Sequence, residues 1–209
     1  MAFHYSPKVP SNGLCFAWDG MNPKSWTGSQ LDNHYDLVSG TAATKQGANS
    51  IEHGVATPQS GTHVKFYGGG TRVAYLSFPS ANITVPTGDT GTWLFTSYFI
   101  DAGSIDHPNL GKETGGGWDG ANGFVFGTGW GTDGPRWGVA GTGHTVYANE
   151  SISDANYRPN VWQIYGITYE RNSSTGLKTY LLDSNGGRLC DQRATSNVAI
   201  GSNSNALHI

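Results

Sequence analysis

The sequence predicts a single all-β domain, and three observations carry that prediction. Glycine supplies 31 of the 209 residues, and charged residues only 13%, against roughly 25% in an average globular chain. Seven Trp, ten Tyr and eight Phe bring enough apolar surface for a core, which excludes a disordered chain. Apolar residues show no convincing helical spacing, and the chain instead consists of short alternating segments separated by turn residues. Together these features favour a β-sandwich or a β-barrel.

The first third of the chain predicts short strands after an N-terminal arm. Residues 1–12 read as an extended arm whose two prolines limit pairing. The apolar run at residues 14–18 suits a strand buried on both sides, and residues 39–40 suit a turn. Three further strand candidates are residues 51–56, 62–67 and 72–78. The glycines at 68–70 separate the last two, which predicts that these two pair as a hairpin.

The rest of the chain predicts longer strands on either side of a glycine-rich middle. Residues 92–101 form the strongest candidate, and because Trp93 and Leu94 begin a run that is apolar on both sides, both faces are expected to be covered. Residues 172–176 and 184–187 are expected to turn two hairpins. The remaining strand candidates are residues 123–126, 136–140, 161–170 and 177–183.

Charge and cysteine content narrow the partners and the compartment. The formal net charge is −3 and Lys and Arg are scattered singly, so neither nucleic acid nor a membrane surface is expected as a partner. Residues 1–12 carry no apolar segment, so no signal peptide is expected and synthesis in a cytoplasm follows. Cys15 and Cys190 are expected as buried free thiols, with a bridge between them as the alternative.

The sequence holds no recognisable catalytic motif, which predicts a protein that is not an enzyme. Glycoside hydrolysis needs two carboxylates at a defined separation, and none of the four glutamates begins an E-x-D-x-x-E run that would place such a pair on one strand. No Gly-x-Ser-x-Gly is present, and the seven histidines show no zinc spacing. No cofactor is expected. Calcium is the alternative, on the oxygen-bearing side chains of Asp101, Asp106, Asn109 and Asp119.

The glycine-rich middle offers the candidates for sugar binding. Sugars stack on flat aromatic rings and are held by planar polar groups. The candidate carbohydrate-binding residues are Trp118, Asp119, Trp130, Asp133, Arg136 and Trp137. The alternative is that these tryptophans pack the loops down or fill the core.

A family resemblance enters at residues 13–28, where an apolar run leads into Asp19-Gly20-Met21-Asn22-Pro23-Lys24-Ser25-Trp26. It continues at 34–40 with His34-Tyr35-Asp36-Leu37-Val38-Ser39-Gly40, and more generically at 91–95, 162–170, 177–186 and 200–201. These segments resemble the concanavalin A-like lectin/glucanase domains of the laminin-G-like subtype found in tailed-bacteriophage structural proteins. The resemblance implies a jelly-roll sandwich of two antiparallel sheets over residues 13–209.

The resemblance also implies a place in a phage particle. The expected function is a non-enzymatic virion structural or decoration protein, with weak glycan affinity that aids host adhesion. Its expected partners are other virion proteins, met through the termini, a second copy of the chain and a cell-surface glycan. The alternatives are a receptor-binding lectin domain of a tail fibre and a polysaccharide hydrolase or depolymerase.

The sequence departs from the family near its end. The family continues past the segment that matches residues 200–201 with another strand beside the first one. Either residues 203–209 form a shortened version of that strand, or a sheet edge is left open for another chain.

Overall fold

A computed structural model describes residues 13–20, 22, 24–25, 34–47, 51–53, 64–66, 75–79, 87–98, 107–112, 123–128, 135–140, 142–145, 162–183, 186–201 and 205–209. These residues form thirteen β-strands and no helix, and every strand pair is antiparallel. The predicted all-β class is confirmed. Within these ranges no helix is long and apolar enough to cross a membrane.

The strands vary from two to nine residues in length. In chain order they are β1 (Thr44–Gln46), β2 (Ile51–His53), β3 (Val64–Phe66), β4 (Tyr75–Phe78), β5 (Thr90–Tyr98), β6 (His107–Lys112), β7 (Phe124–Thr128), β8 (Pro135–Val139), β9 (Thr142–Thr145), β10 (Trp162–Glu170), β11 (Leu177–Asp183), β12 (Gly186–Arg193) and β13 (Leu207–His208).

The strands form two larger sheets and one small ribbon. The seven-stranded sheet has the order β1-β4-β13-β6-β7-β8-β9, and the four-stranded sheet has the order β12-β11-β10-β5. Strands β2 and β3 pair with each other. The hairpins predicted between β10 and β11 and between β11 and β12 are confirmed.

The two larger sheets share one hydrophobic core. Along β10 buried and half-buried side chains alternate, and Tyr165, Ile167 and Tyr169 are buried, as the period of two in a strand requires. Trp93 of β5 packs on the other sheet, with its ring centroid 5.1 Å from that of Phe124 and 5.5 Å from that of Phe126. Core-facing aromatic side chains therefore join the four-stranded sheet to β7.

Two predictions for the first third of the chain are wrong. Strand β3 pairs with β2, not with the next strand, because β4 is flanked on its two sides by β1 and β13. Residues 14–18 form no strand. Their backbone is held by a loop instead, since the N–H of Leu37 donates to the carbonyl oxygen of Ala17 at 2.7 Å.

The expectation that both faces of β5 are covered is also wrong. Trp93 is buried in the core, but Leu94 on the opposite face is 73% exposed. Strands β1, β6 and β9 were not anticipated, because their segments lack an alternating apolar pattern. For example, β6 reads HPNLGK and β9 reads TGHT.

The C-terminal part of the described chain does form a short strand, but this strand lies inside a sheet and not beside residues 14–18, which form no strand. Strand β13 lies between β4 and β6, with Leu207 opposite Phe78 and His208 opposite Gly111. Leu207 is buried. The arm at residues 1–12 lies outside the described residues.

The two cysteines lie in different surroundings. Cys15 is a half-buried free thiol whose Sγ lies 3.7 Å from the carbonyl oxygen of Gly13. Cys190 falls at a register shift of β12, where Thr179 faces Asp191 and Tyr180 faces Leu189. Cys190 is therefore the extra residue of a β-bulge.

Candidate functional site

The structure describes only part of the predicted sugar-binding set. Trp118, Asp119, Trp130 and Asp133 lie outside the described residues. Arg136 and Trp137 are neighbours on β8. The backbone register places Trp137 opposite Phe126 on one side and opposite His144 on the other.

The predicted calcium ligands are described at one position. Asn109 lies on β6, between Pro108 and Leu110, where the register with β7 shifts. Asp101, Asp106 and Asp119 fall outside the described residues. In the ranges that the structure describes, no group of three or more His, Cys, Asp or Glu side chains is placed to hold a metal ion.

The family-like motif has its structural centre at Asp36, whose carboxylate is buried. Oδ1 accepts hydrogen bonds from the N–H groups of Ala17 at 2.8 Å and Val38 at 3.2 Å. Oδ2 accepts from the N–H of Ser39 at 2.8 Å and from its hydroxyl at 2.5 Å. Four donors thus surround the carboxylate, and they tie the 37–39 turn to the segment that contains Ala17. Gly40, with a φ of 71°, closes this turn in a conformation that favours glycine.

A buried histidine supports the same loop. The indole Nε1–H of Trp18 donates to Nδ1 of His34 at 3.4 Å, and the two ring centroids lie 5.8 Å apart. Ser25 is also buried, and its hydroxyl oxygen accepts from the N–H of Asp19 at 3.2 Å. Trp18, Ser25 and His34 therefore hold the loop in place.

A second polar cluster, at the β10–β11 turn, ties this hairpin to residues 195–198. The hydroxyl of Thr195 donates to the carbonyl oxygen of Glu170 at 2.5 Å. The hydroxyl of Tyr169 donates to the carbonyl oxygen of Val198. Arg171 forms an exposed ion pair with Asp89 at 2.9 Å. The phenol of Tyr169 has a raised pKa because burial disfavours its charged form, with Arg171 lowering and Asp89 raising the pKa to smaller extents.

The outer face of the four-stranded sheet is the described surface with the most exposed apolar side chains. Leu94 of β5, Tyr180 of β11 and Leu182 of β11 are 73%, 38% and 46% exposed. Gly166 of β10 lies between the first two. A Cβ at that glycine would lie 3.6 Å from Cβ of Tyr180 and 3.8 Å from a methyl carbon of Leu94. We call Leu94, Gly166, Tyr180 and Leu182 the outer-face patch.

This patch was not among the predicted binding residues, although the sequence of β5 carries a signal for it. Leu94 belongs to a strand that reads as apolar on both sides, as in a strand covered on both faces. Local pattern cannot tell a covered second face from an exposed one, because the difference depends on what packs there.

Comparison with known proteins adds no relative to this description. No family model, no curated protein and no solved structure matches the chain.

Proposed function

We propose that the chain is a jelly-roll sandwich of two antiparallel sheets and a non-enzymatic structural or decoration protein of a tailed-phage particle. The proposal retains weak affinity for a cell-surface glycan as a secondary property. It rests on the resemblance carried by residues 13–28 and 34–40, and on what the described motif residues do in the fold.

The observation that carries the proposal is the surroundings of Asp36. This carboxylate is buried and accepts four hydrogen bonds from nearby groups of the same chain. A general base or a ligand-binding carboxylate needs a lone pair directed at a substrate, whereas these oxygens are directed at Ala17, Val38 and Ser39. The acidic residue of the motif therefore acts as a structural support, which is the role expected in a scaffold.

The shared core supports the same proposal for the fold. Trp93 and Phe95 of the four-stranded sheet contact Phe126 of the seven-stranded sheet, with ring centroids 5.5 and 6.0 Å apart. Two antiparallel sheets that meet through alternating inward residues are the arrangement of a β-sandwich. A jelly roll is the form of sandwich that the resemblance implies.

The proposal also concerns where the protein binds its neighbours in the particle. Since β13 lies inside a sheet and Leu207 is buried, docking through residues 205–209 would require breaking that sheet. We therefore assign the contact with other virion proteins to the arm at residues 1–12. The glycan would be held by Trp118, Asp119, Trp130, Asp133, Arg136 and Trp137, and no cofactor is needed.

Imaging of purified particles, at a resolution that traces side chains, tests this function. The expected result is ordered copies on the head, neck or tail shaft, with residues 1–12 buried against a neighbouring protein. Copies at the distal tip of a tail fibre, with residues 118–137 facing outward, would replace the proposal with a receptor-binding lectin. Particles that lack the chain would contradict both, and release of reducing ends from capsule polysaccharide would then indicate a hydrolase.

A further inference from the structure

Strand β5 has one edge whose backbone groups point away from its sheet. It pairs with β10 over nine residues without a register shift. Just before the strand, the N–H of Arg171 donates to the carbonyl oxygen of Asp89 at 2.8 Å. Hydrogen-bonded and non-hydrogen-bonded pairs alternate in an antiparallel ladder. The N–H and C=O groups of Thr92, Leu94 and Thr96 therefore point to the edge opposite β10.

Within the described residues, this edge is covered only near the start of β5. Gly88 and Ile200 exchange two backbone hydrogen bonds, of 2.9 and 2.8 Å. Beyond this bridge no described strand pairs with the edge. The side chains agree, because Leu94 is 73% exposed and Thr92 and Thr96 are exposed as well.

The sequence of β5 lacks the features that usually protect an edge strand. Such strands carry charges, prolines or bulges that prevent pairing with another chain. Strand β12, at the other edge of the same sheet, has a bulge at Cys190 and charged residues at Arg188, Asp191 and Arg193. Strand β5 reads TGTWLFTSY and has no charge, no proline and no bulge.

We propose that this edge pairs with the same edge of a second copy of the chain, antiparallel, about a twofold axis at Leu94. Leu94 is the central residue of β5, so this register pairs all nine residues of each copy. It places Leu94 opposite Leu94 of the second copy and Thr92 opposite Thr96 of the second copy. The two four-stranded sheets then form one eight-stranded sheet.

The proposed register is chemically self-complementary. Leucine faces leucine and threonine faces threonine on the outer face, and Trp93 faces Phe95 of the second copy on the inner face. Threonine pairs and aromatic pairs across strands are stabilising, and like charges directly opposite each other are not. The uncharged strand has no such repulsion in this register. The ladder would also end before the Gly88–Ile200 bridge, so the two do not compete.

The inference is independent of the proposed function, because it concerns a strand edge and not a host particle. Bismaleimide cross-linking of Leu94→Cys tests it, in a chain whose Cys15 and Cys190 are changed to Ser. The matched control is Leu182→Cys, an exposed leucine on the same face. In the proposed dimer the two thiols introduced at position 94 meet at the axis, whereas those introduced at position 182 lie five strand spacings apart, roughly 24 Å.

The expected result is efficient dimer cross-linking at position 94 and little at position 182. Equal cross-linking at both positions would overturn the proposal, because it would indicate contact between faces or random collision.

Sedimentation of the unmodified chain gives a second measurement that does not depend on cysteine variants. We expect a concentration-dependent monomer–dimer equilibrium. Leu94→Lys should weaken it by at least about tenfold, because two like charges meet at the axis. Leu182→Lys, with the same added charge, should leave the equilibrium nearly unchanged. A chain that stays monomeric at its highest soluble concentration contradicts the proposal.

Hydrogen exchange distinguishes a second copy from a strand of the same chain. The amides of Leu94 and Thr96 should exchange fast in dilute monomer and become protected as dimer forms. Protection of these amides in the dilute monomer would show that the edge is paired within the chain, and the proposal would fail.

Discussion

The carboxylate of Asp36 accepts a hydrogen bond from the backbone N–H of Ala17 at 2.8 Å, across nineteen residues of sequence. The return contact is a backbone bond, from the N–H of Leu37 to the carbonyl oxygen of Ala17 at 2.7 Å. One side chain and one peptide group thus fix residues 13–20 to the loop at 34–43. This pair of contacts explains why an apolar run that reads as a strand needs no ladder partner.

Replacing Asp36 with alanine should destabilise the protein strongly. The change leaves the part-buried N–H groups of Ala17, Val38 and Ser39 without their acceptor. Hydrogen bonds to a charged group contribute about 1.5–3 kcal/mol each. We expect a loss of about 3 kcal/mol or more in the free energy of unfolding, measured from urea unfolding curves at constant m-value. Asp89→Ala is the matched control, because its ion pair with Arg171 is exposed and such pairs contribute less than about 1 kcal/mol. Equal losses of unfolding free energy in the two variants would contradict the structural role assigned to Asp36.

Gly176 should not tolerate a side chain, whereas Gly166 should. A Cβ at Gly176 would overlap the carbonyl oxygen of Glu170 and the hydroxyl of Thr195, but a Cβ at Gly166 meets only ordinary contacts at 3.6 Å and beyond. We expect Gly176→Ala to cost about 1–3 kcal/mol through overpacking. Gly166→Ala should be neutral or slightly stabilising, because glycine in a strand loses the most backbone freedom on folding. Thermal unfolding of both variants checks the order, and a Gly176→Ala protein as stable as the parent would contradict it.

Tyr169 should contribute stability that disappears in alkali. Burial raises the pKa of its phenol above the ordinary 10.0, so the folded state favours the neutral ring. Its contribution is therefore complete below pH 10 and is lost as the pH rises through the folded-state pKa. Tyr169→Phe, which removes the hydrogen bond to Val198, should cost about 1 kcal/mol at pH 7. The difference between the two proteins in the free energy of unfolding, measured in urea, should shrink above pH 10. A difference that grows there would contradict a raised pKa of Tyr169 in the folded state.

Leu207 should behave as a core residue in spite of its place near the end of the described chain. It is buried between strands β4 and β6, and Leu→Ala at such sites costs about 2–5 kcal/mol. Leu182→Ala, at an exposed leucine, should change stability by less than about 1 kcal/mol. Calorimetry of the two variants compares them directly. A Leu207→Ala protein as stable as Leu182→Ala would mean that β13 adds little to the sheet.

The long hairpins could be predicted from the sequence because their pairing is local. Strands β10 and β11 are rich in aromatic and aliphatic side chains, and residues 172–176 between them are turn formers. The pairing of β3 with β2 and the insertion of β13 could not be predicted this way. The insertion of β13 depends on contacts between distant segments, whereas β3 has a candidate partner close in sequence on either side. Local periodicity carries no information about which strand lies beside which.

The candidate site could be predicted only as residue types. The sequence places aromatic and polar side chains together in its glycine-rich middle, and the structure describes Arg136 and Trp137 of that set as neighbours on β8. The exposed Leu94 and Tyr180 are chemically ordinary strand residues. Their exposure follows from the packing of one sheet face and not from a motif.

The position of β13 has a consequence for synthesis on the ribosome. Strand β4 and strands β6 to β9 leave the exit tunnel well before Leu207, so the seven-stranded sheet first exists as two halves separated by an empty slot. Each half presents an unpaired edge to the crowded cell until residues 207–208 emerge and fill the slot. Nascent chains of this protein are therefore expected to need a chaperone most in the interval before Leu207 leaves the exit tunnel.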